Sequence, residues 1–273
     1  MGDTAHDSGG AGRTEPGISA EDFGLDGPRG QVFAGIRFEA PPGSVVALEG
    51  PSGSGRTCLL LALTGRMKAT AGHALVDGRR LPGQLAAVRR ISALAAVPGI
   101  TDLEPSLSVA EQLRERTLLQ RRFGGSLRAL LRPRRERAAA SRDRVDRALR
   151  AAGLDLDDLP KGPRTRVRDL ERLESLRLSL ALALIGEPRV LGVDDVDLKL
   201  SGDERDQAWS LLRSVASSGV TVLAVCSEAP PGAVAVRTGA GSTRQQPPPA
   251  REYAGTGKER KEAADALAET GRA

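Results

Sequence analysis

The sequence predicts an α/β fold in which a largely parallel sheet carries helices on its faces. Two observations lead there. Val45 to Leu63 runs as a short apolar strand, a glycine-rich loop and a helix-compatible segment. Further on, the apolar runs Ile91 to Val97, Arg189 to Val193 and Val220 to Val225 alternate with helix-patterned stretches. Parallel strands need a crossover, usually a helix, so this alternation builds a parallel sheet.

The loop is Gly50-Pro51-Ser52-Gly53-Ser54-Gly55-Arg56-Thr57, with Cys58 next at the start of the helix. Glycines let successive backbone N–H groups turn inward onto phosphate oxygens, and the helix N-terminus adds partial positive charge. Strand, loop and helix stand in the order a P-loop needs, and the alternative is a glycine-rich surface turn. Thr57 is placed to offer its hydroxyl to Mg²⁺. Arg56 stands where the pattern has Lys; it keeps the charge but is planar and bulkier.

Composition narrows the field. A chain of 273 residues suits one large domain with accessories, and with aromatics at 2% its core must be aliphatic. A net charge of +5 is too small to select nucleic acid or an anionic membrane as partner. Two cysteines do not make a secreted disulfide framework, and Cys58 and Cys226 read as small buried side chains. No basic-then-apolar leader opens the sequence. Its richest apolar run, Leu178 to Ile185, falls short of the ~18–20 residues of a membrane span. A cytoplasmic location is expected, with any membrane role supplied by a partner.

In order, residues 1–17 read as a disordered tail. Val32, Ala34, Ile36 and Phe38 alternate as a half-buried strand, and Pro41-Pro42-Gly43 turns the chain into the P-loop strand. Ala74-Leu75-Val76 followed by Asp77-Gly78 reads as a strand and hairpin turn. Ser108 with Glu111 signals a capped helix to Gln120. Residues 121–137 carry seven arginines against Glu136 alone, which suits a solvated face, a lipid headgroup contact or an acidic partner loop. Sequence-specific nucleic-acid reading is a minority option there, because stacking aromatics are scarce, Phe123 alone in the stretch. Arg142 to Ala152 is an amphipathic helix with Val145, Ala148 and Leu149 inward, and Leu176 to Ile185 and Glu204 to Ser217 are further helices. Residues 238–273 read as a second, low-complexity tail.

A phosphate loop needs an acid at the end of a neighbouring strand to hold magnesium. Asp194, closing the run from Arg189, sits there, the alternative being a turn aspartate. With these residues in place, the chain resembles the ATP-binding (nucleotide-binding) subunit of ABC transporters from about Ile18 to Val236. The resemblance rests on Gly50 to Thr57, Thr70-Ala71-Gly72 with Val76-Asp77-Gly78, Leu107-Ser108-Val109, Arg177 to Pro188, Val190 to Asp195, and Thr221 to Glu228, in that order. It implies a P-loop NTPase core over residues 18–237, an inserted helical subdomain at about 107–169, and ATP with Mg²⁺ as cofactors. It also implies a homo- or heterodimer of such subunits with ATP between them, docked on a membrane-spanning permease of another chain at the cytoplasmic face.

The resemblance further implies roles for single residues, and departures from them. Phe23 is the aromatic available to stack on adenine, or else part of the core. No glutamine stands between Arg89 and Glu111, where the family contacts Mg²⁺ and water. The signature loop aligns with Leu170-Glu171-Arg172-Leu173-Glu174; Glu171 sets a carboxylate near phosphate, and Leu173 holds the backbone off. Like charges a few ångströms apart cost about 1 kcal/mol or more. Asp195 replaces the catalytic glutamate one methylene short, Ser201 replaces a downstream aspartate, and Ser227 takes the place of the switch histidine. Ser227 can donate to phosphate but is neither a cation nor a base. The expected function is therefore ATP binding coupled to a permease with weak hydrolysis. The alternatives are a non-hydrolysing scaffold or regulatory partner, and an ordinary ATPase.

Overall fold

The computed structural model describes residues 16–28, 30–123 and 134–239. In chain order the first half contains β1 (Ile18–Gly27), β2 (Gly30–Ala40), β3 (Val45–Glu49), α1 (Arg56–Leu63), β4 (Ala71–Val76), β5 (Arg79–Leu81), α2 (Leu85–Ile91), β6 (Ser92–Ala95) and α3 (Val109–Phe123). The second half contains α4 (Arg134–Ala151), α5 (Arg172–Leu184), β7 (Val190–Val193), α6 (Gly202–Ser217), β8 (Thr221–Cys226) and β9 (Val234–Arg237).

Among the described residues the strands form two sheets. A parallel one runs β6-β7-β8-β3-β9, and an antiparallel one runs β2-β1-β4-β5. The central strands β3, β7 and β8 are mostly apolar and buried, as strands covered on both faces must be. Val46, Leu48, Leu223 and Val225 join one core with Leu59 and Leu60 of α1 and the inner face of the antiparallel sheet. Val45, Ala47, Val222 and Ala224 join the other, with Leu176 and Leu180 of α5 and Trp209 and Leu212 of α6. Gly192 in β7 permits this close packing, because a Cβ there would lie 2.7 Å from Leu94 and 2.9 Å from Leu60.

The antiparallel sheet corrects two expectations. β1 pairs with β2 through a hairpin, whereas the sequence reading finds only one strand there. The alternation from Val32 to Phe38 is also broken. Leu25 pairs with Phe33 but Phe23 pairs with Ile36, a bulge centred on Gly35, so Phe33 and not Ala34 turns inward. Strand β9 and helix α2 are likewise additions that weak, short patterns did not reveal.

Helix starts follow local rules. Ser108 and Glu111 cap α3, with the Ser108 N–H donating to Glu111 Oε2 at 2.8 Å. Ser201 and Glu204 do the same for α6. The stretch between β6 and β7 folds back on itself: Val109 N–H donates to Thr165 O (3.0 Å) and Val167 N–H to Leu107 O (2.9 Å). Gly17 and Thr238, assigned to the tails by sequence, are part of the fold. Gly17 O accepts from Asp77 N–H at 2.7 Å and Glu49 O accepts from Thr238 N–H at 2.9 Å. Residues 1–15 and 240–273 of the tails and 124–133 of the arginine-rich stretch 121–137 lie outside the described residues.

Candidate nucleotide-binding site

Strand β3 ends at Glu49 and delivers the glycine loop to the N-terminus of α1. Gly55, in the left-handed region at φ +85°, is the residue before the helix. A Cβ there would stand 2.4 Å from Val32 O, so only glycine lets β2 lie this close to the loop. Within the loop Ser54 N–H donates to Pro51 O at 3.2 Å. Cys58 faces inward, half-buried against the core beneath the antiparallel sheet.

Three parallel strands bring the remaining groups to the same edge. β7 ends one residue before Asp194, and β8, between β7 and β3, ends at Cys226. Thr57 Oγ1 donates to Asp194 Oδ2 at 2.8 Å. Asp194 is buried, and burial pushes its carboxyl up from the ordinary value while the Thr57 hydroxyl pulls it back. Two oxygen donors held together beside a phosphate loop suit a hard cation such as Mg²⁺. Arg56 Nη1 donates to the Cys226 carbonyl at 2.6 Å, so its charge lies across the end of β8.

Asp195 is half-buried and its backbone is left-handed, φ +45°, with its N–H donating to Asp194 Oδ1 at 3.1 Å. Ser227 is exposed just beyond β8, and its N–H donates to Asp197 Oδ2 at 2.8 Å. Gly50 to Thr57, Asp194, Asp195 and Ser227 therefore surround the C-terminal ends of β3, β7 and β8.

Phe23 does not join them. It is fully buried and its ring packs 6.0 Å from that of Phe33, centroid to centroid. It is a core residue with no face to offer adenine. Leu173 is buried with the α5 core. Glu171 remains exposed at the head of α5, where its N–H donates to Glu174 Oε2 at 2.8 Å.

Two acids that sequence reading passed over are built into this edge. Asp197 is one. The other is Glu49, whose Oε1 accepts from Arg237 Nε at 2.5 Å and Oε2 from Ala229 N–H at 2.9 Å. The Arg237 guanidinium and that N–H hold the Glu49 carboxyl below its ordinary range despite burial. The available signal was a charged residue closing an otherwise apolar strand. Thr238 adds a hydroxyl contact to Ser54, 2.6 Å between oxygens.

Residues 33–197 match the sequence profile of the ABC transporter family. The chain is 30% identical over 192 residues to the Nod factor export ATP-binding protein I of Cupriavidus metallidurans, covering 70% of this chain and 56% of that one. It is 31% identical over 199 residues to the ribose import ATP-binding protein RbsA 2 of Burkholderia pseudomallei, covering 72% and 36%. The chain thus spans little more than half, or about a third, of these relatives. Among solved structures it resembles cbiO1 from Clostridium perfringens, part of the ABC transporter complex cbiONQ, with TM-score 0.62 and 20% identity over 78% of this chain and 79% of that one. It also resembles the ATP-binding cassette MJ0796, a dimer bound to ADP and Pi, with TM-score 0.58 and 20% identity over 77% and 88%.

Proposed function

The chain belongs to the ABC transporter family, and on that premise we propose that it is an ATP-binding subunit that holds Mg-ATP at Gly50 to Cys58 and couples to a separate permease. One observation carries this reading: the 2.8 Å contact of Thr57 with Asp194 at the mouth of the phosphate loop. Thr57 and Asp194 are the residues that would hold Mg²⁺, which when bound neutralises and orients the phosphates. The loop N–H groups and the N-terminus of α1 bind phosphate oxygens, and Arg56 turns from the Cys226 carbonyl to share them. Asp195 stands in for the acid that polarises an attacking water, and Ser227 offers a hydroxyl to the terminal phosphate.

Hydrolysis is weak in this proposal. Asp195 is one methylene short, no glutamine stands between Arg89 and Glu111, and the exposed Glu171 replaces a neutral phosphate contact. The subunit pairs with a copy of itself or with a related subunit, so that Glu171 of one faces the phosphate loop of the other. The domain is residues 18–237, with a helical subdomain at about 107–169 whose ends are joined by the Leu107–Val167 and Val109–Thr165 hydrogen bonds. Among the described residues no helix is long and apolar enough to cross a membrane. We place the subunit on the cytoplasmic face, held by its permease. Glu171 also favours a second reading, a non-hydrolysing scaffold or regulatory partner.

Calorimetry of Mg-ATP on the full chain and on Asp194→Ala, followed by phosphate release from the same samples, tests this. Binding that is lost in Asp194→Ala, with little phosphate released, is expected. No binding at millimolar ATP would leave the scaffold reading; rapid release would overturn weak hydrolysis.

A further inference from the structure

Beyond Cys226 the chain leaves the parallel sheet, and the N–H groups of Ser227 and Ala229 lose their ladder partners. Such groups need acceptors if the segment is to hold one conformation. Both receive carboxylates from remote parts of the chain: Asp197 for Ser227 at 2.8 Å and Glu49 for Ala229 at 2.9 Å. The two acceptors bracket Ser227 and Glu228 from either side.

Each carboxylate is itself fixed. Asp197 belongs to the loop after Asp194, and that loop is tied to β8 a second time, Val196 N–H donating to Val225 O at 3.0 Å. Glu49 is the last residue of β3, immediately before Gly50, and its second oxygen is held by Arg237. Both hydrogen bonds to the segment therefore refer it to the metal-side loop on one hand and to the phosphate loop on the other. Charged acceptors make shorter, stronger bonds than neutral ones. The Cys226 carbonyl that receives Arg56 lies one residue before the bracket. Ser227 is left exposed, its hydroxyl unused by any described residue within hydrogen-bond distance.

We propose that Asp197 and Glu49 are positioning residues that hold Ser227 for the terminal phosphate of the bound nucleotide and thereby set a preference for a triphosphate over a diphosphate. This rests on the nucleotide-binding reading above. A diphosphate lacks the terminal phosphate assigned to Ser227 and so gains nothing from the bracket. A triphosphate gains one hydroxyl contact whose geometry is prepaid by two backbone anchors.

The test is the ratio of Mg-ATP to Mg-ADP affinity, measured by calorimetry on the full chain. Asp197→Ala and Ser227→Ala should each narrow that ratio by about tenfold, the worth of one hydrogen bond to a charged group. Because Asp197 acts through Ser227, the double variant should narrow it no further than either single one. Asp197→Asn and Glu49→Gln keep an acceptor for the backbone N–H and should retain most of the preference, whereas Glu49→Ala should lose it. General loosening of the fold would weaken both nucleotides alike and leave the ratio standing. If Asp197→Ala does not fold by its melting curve, Asp197→Ser carries the same comparison. Binding by the unaltered chain with an unchanged ratio in these variants would overturn this inference alone. Binding of neither nucleotide by the unaltered chain would overturn the nucleotide reading and this inference with it.

Discussion

Replacing Phe23 by alanine separates a core role from a ligand-stacking one. The ring is fully buried in the core that the antiparallel sheet shares with α1, and it pairs with Phe33 at 6.0 Å. Truncating a buried phenylalanine to alanine costs about 3–5 kcal/mol, of which the aromatic pair accounts for about 0.5–1.5. In a folded unit of this size each kcal/mol moves the melting temperature by roughly 2–4 °C, so Phe23→Ala should melt about 6–20 °C lower. Phe23→Leu keeps most of the volume and should lose only the pair contribution and a small cavity, about 1–2 kcal/mol. Thermal melts of both variants, with Mg-ATP affinity measured well below the lower melting temperature, give the answer. The expected result is a large stability loss in alanine, a small one in leucine, and nucleotide affinity within about threefold of the unaltered chain in both. A Phe23→Ala chain that melts normally but binds ATP tenfold more weakly would show the ring facing the nucleotide and refute the burial argument.

Glu49 predicts a pH dependence. Its folded carboxyl is held low by Arg237 and the Ala229 N–H, so it binds protons less readily folded than unfolded. The stability it contributes is present above the unfolded value, near the ordinary 4.5, and is lost as pH falls through the lower folded value. Melts between pH 7 and 3 should fall less steeply for Glu49→Gln than for the unaltered chain, and parallel curves would refute the coupling. Arg56 predicts a ligand effect: if its guanidinium leaves the Cys226 carbonyl for phosphate, Arg56→Met should weaken Mg-ATP binding by about 10–100-fold, the worth of a charge-assisted contact. Equal affinities by calorimetry would mean that the side chain stays on the carbonyl when ATP is bound.

Much of the fold was legible because it is written in near-neighbour patterns. The run Val45 to Leu48 marks a strand buried on both faces, Gly53 and Gly55 punctuate the loop, and Ser108 with Glu111 caps a helix three residues on. The contact of Thr57 with Asp194 follows from two such local signals, since parallel strands deliver their C-terminal ends to one edge. What failed was equally local in cause. The bulge at Gly35 moved Phe33 inward because one inserted residue flips the faces of a strand, and an alternating pattern cannot announce where the insertion lies.

The sequence by itself marked the central parallel strands and the longer helices, the glycine loop ahead of α1, and the aspartate that follows β7, but not β1, β9 or α2. The tertiary structure alone decided that Phe23 is core, that Leu173 is buried, and that Glu49 and Asp197 serve the backbone beside Ser227. Those outcomes depend on partners far away along the chain, 180 residues between Glu49 and Ala229 and 30 between Asp197 and Ser227. Periodicity and capping are settled by residues a few positions apart, so a linear reading recovers them. A long-range hydrogen bond is settled by which remote acceptor the folded chain brings within 3 Å, and that distance exists only once the chain has folded.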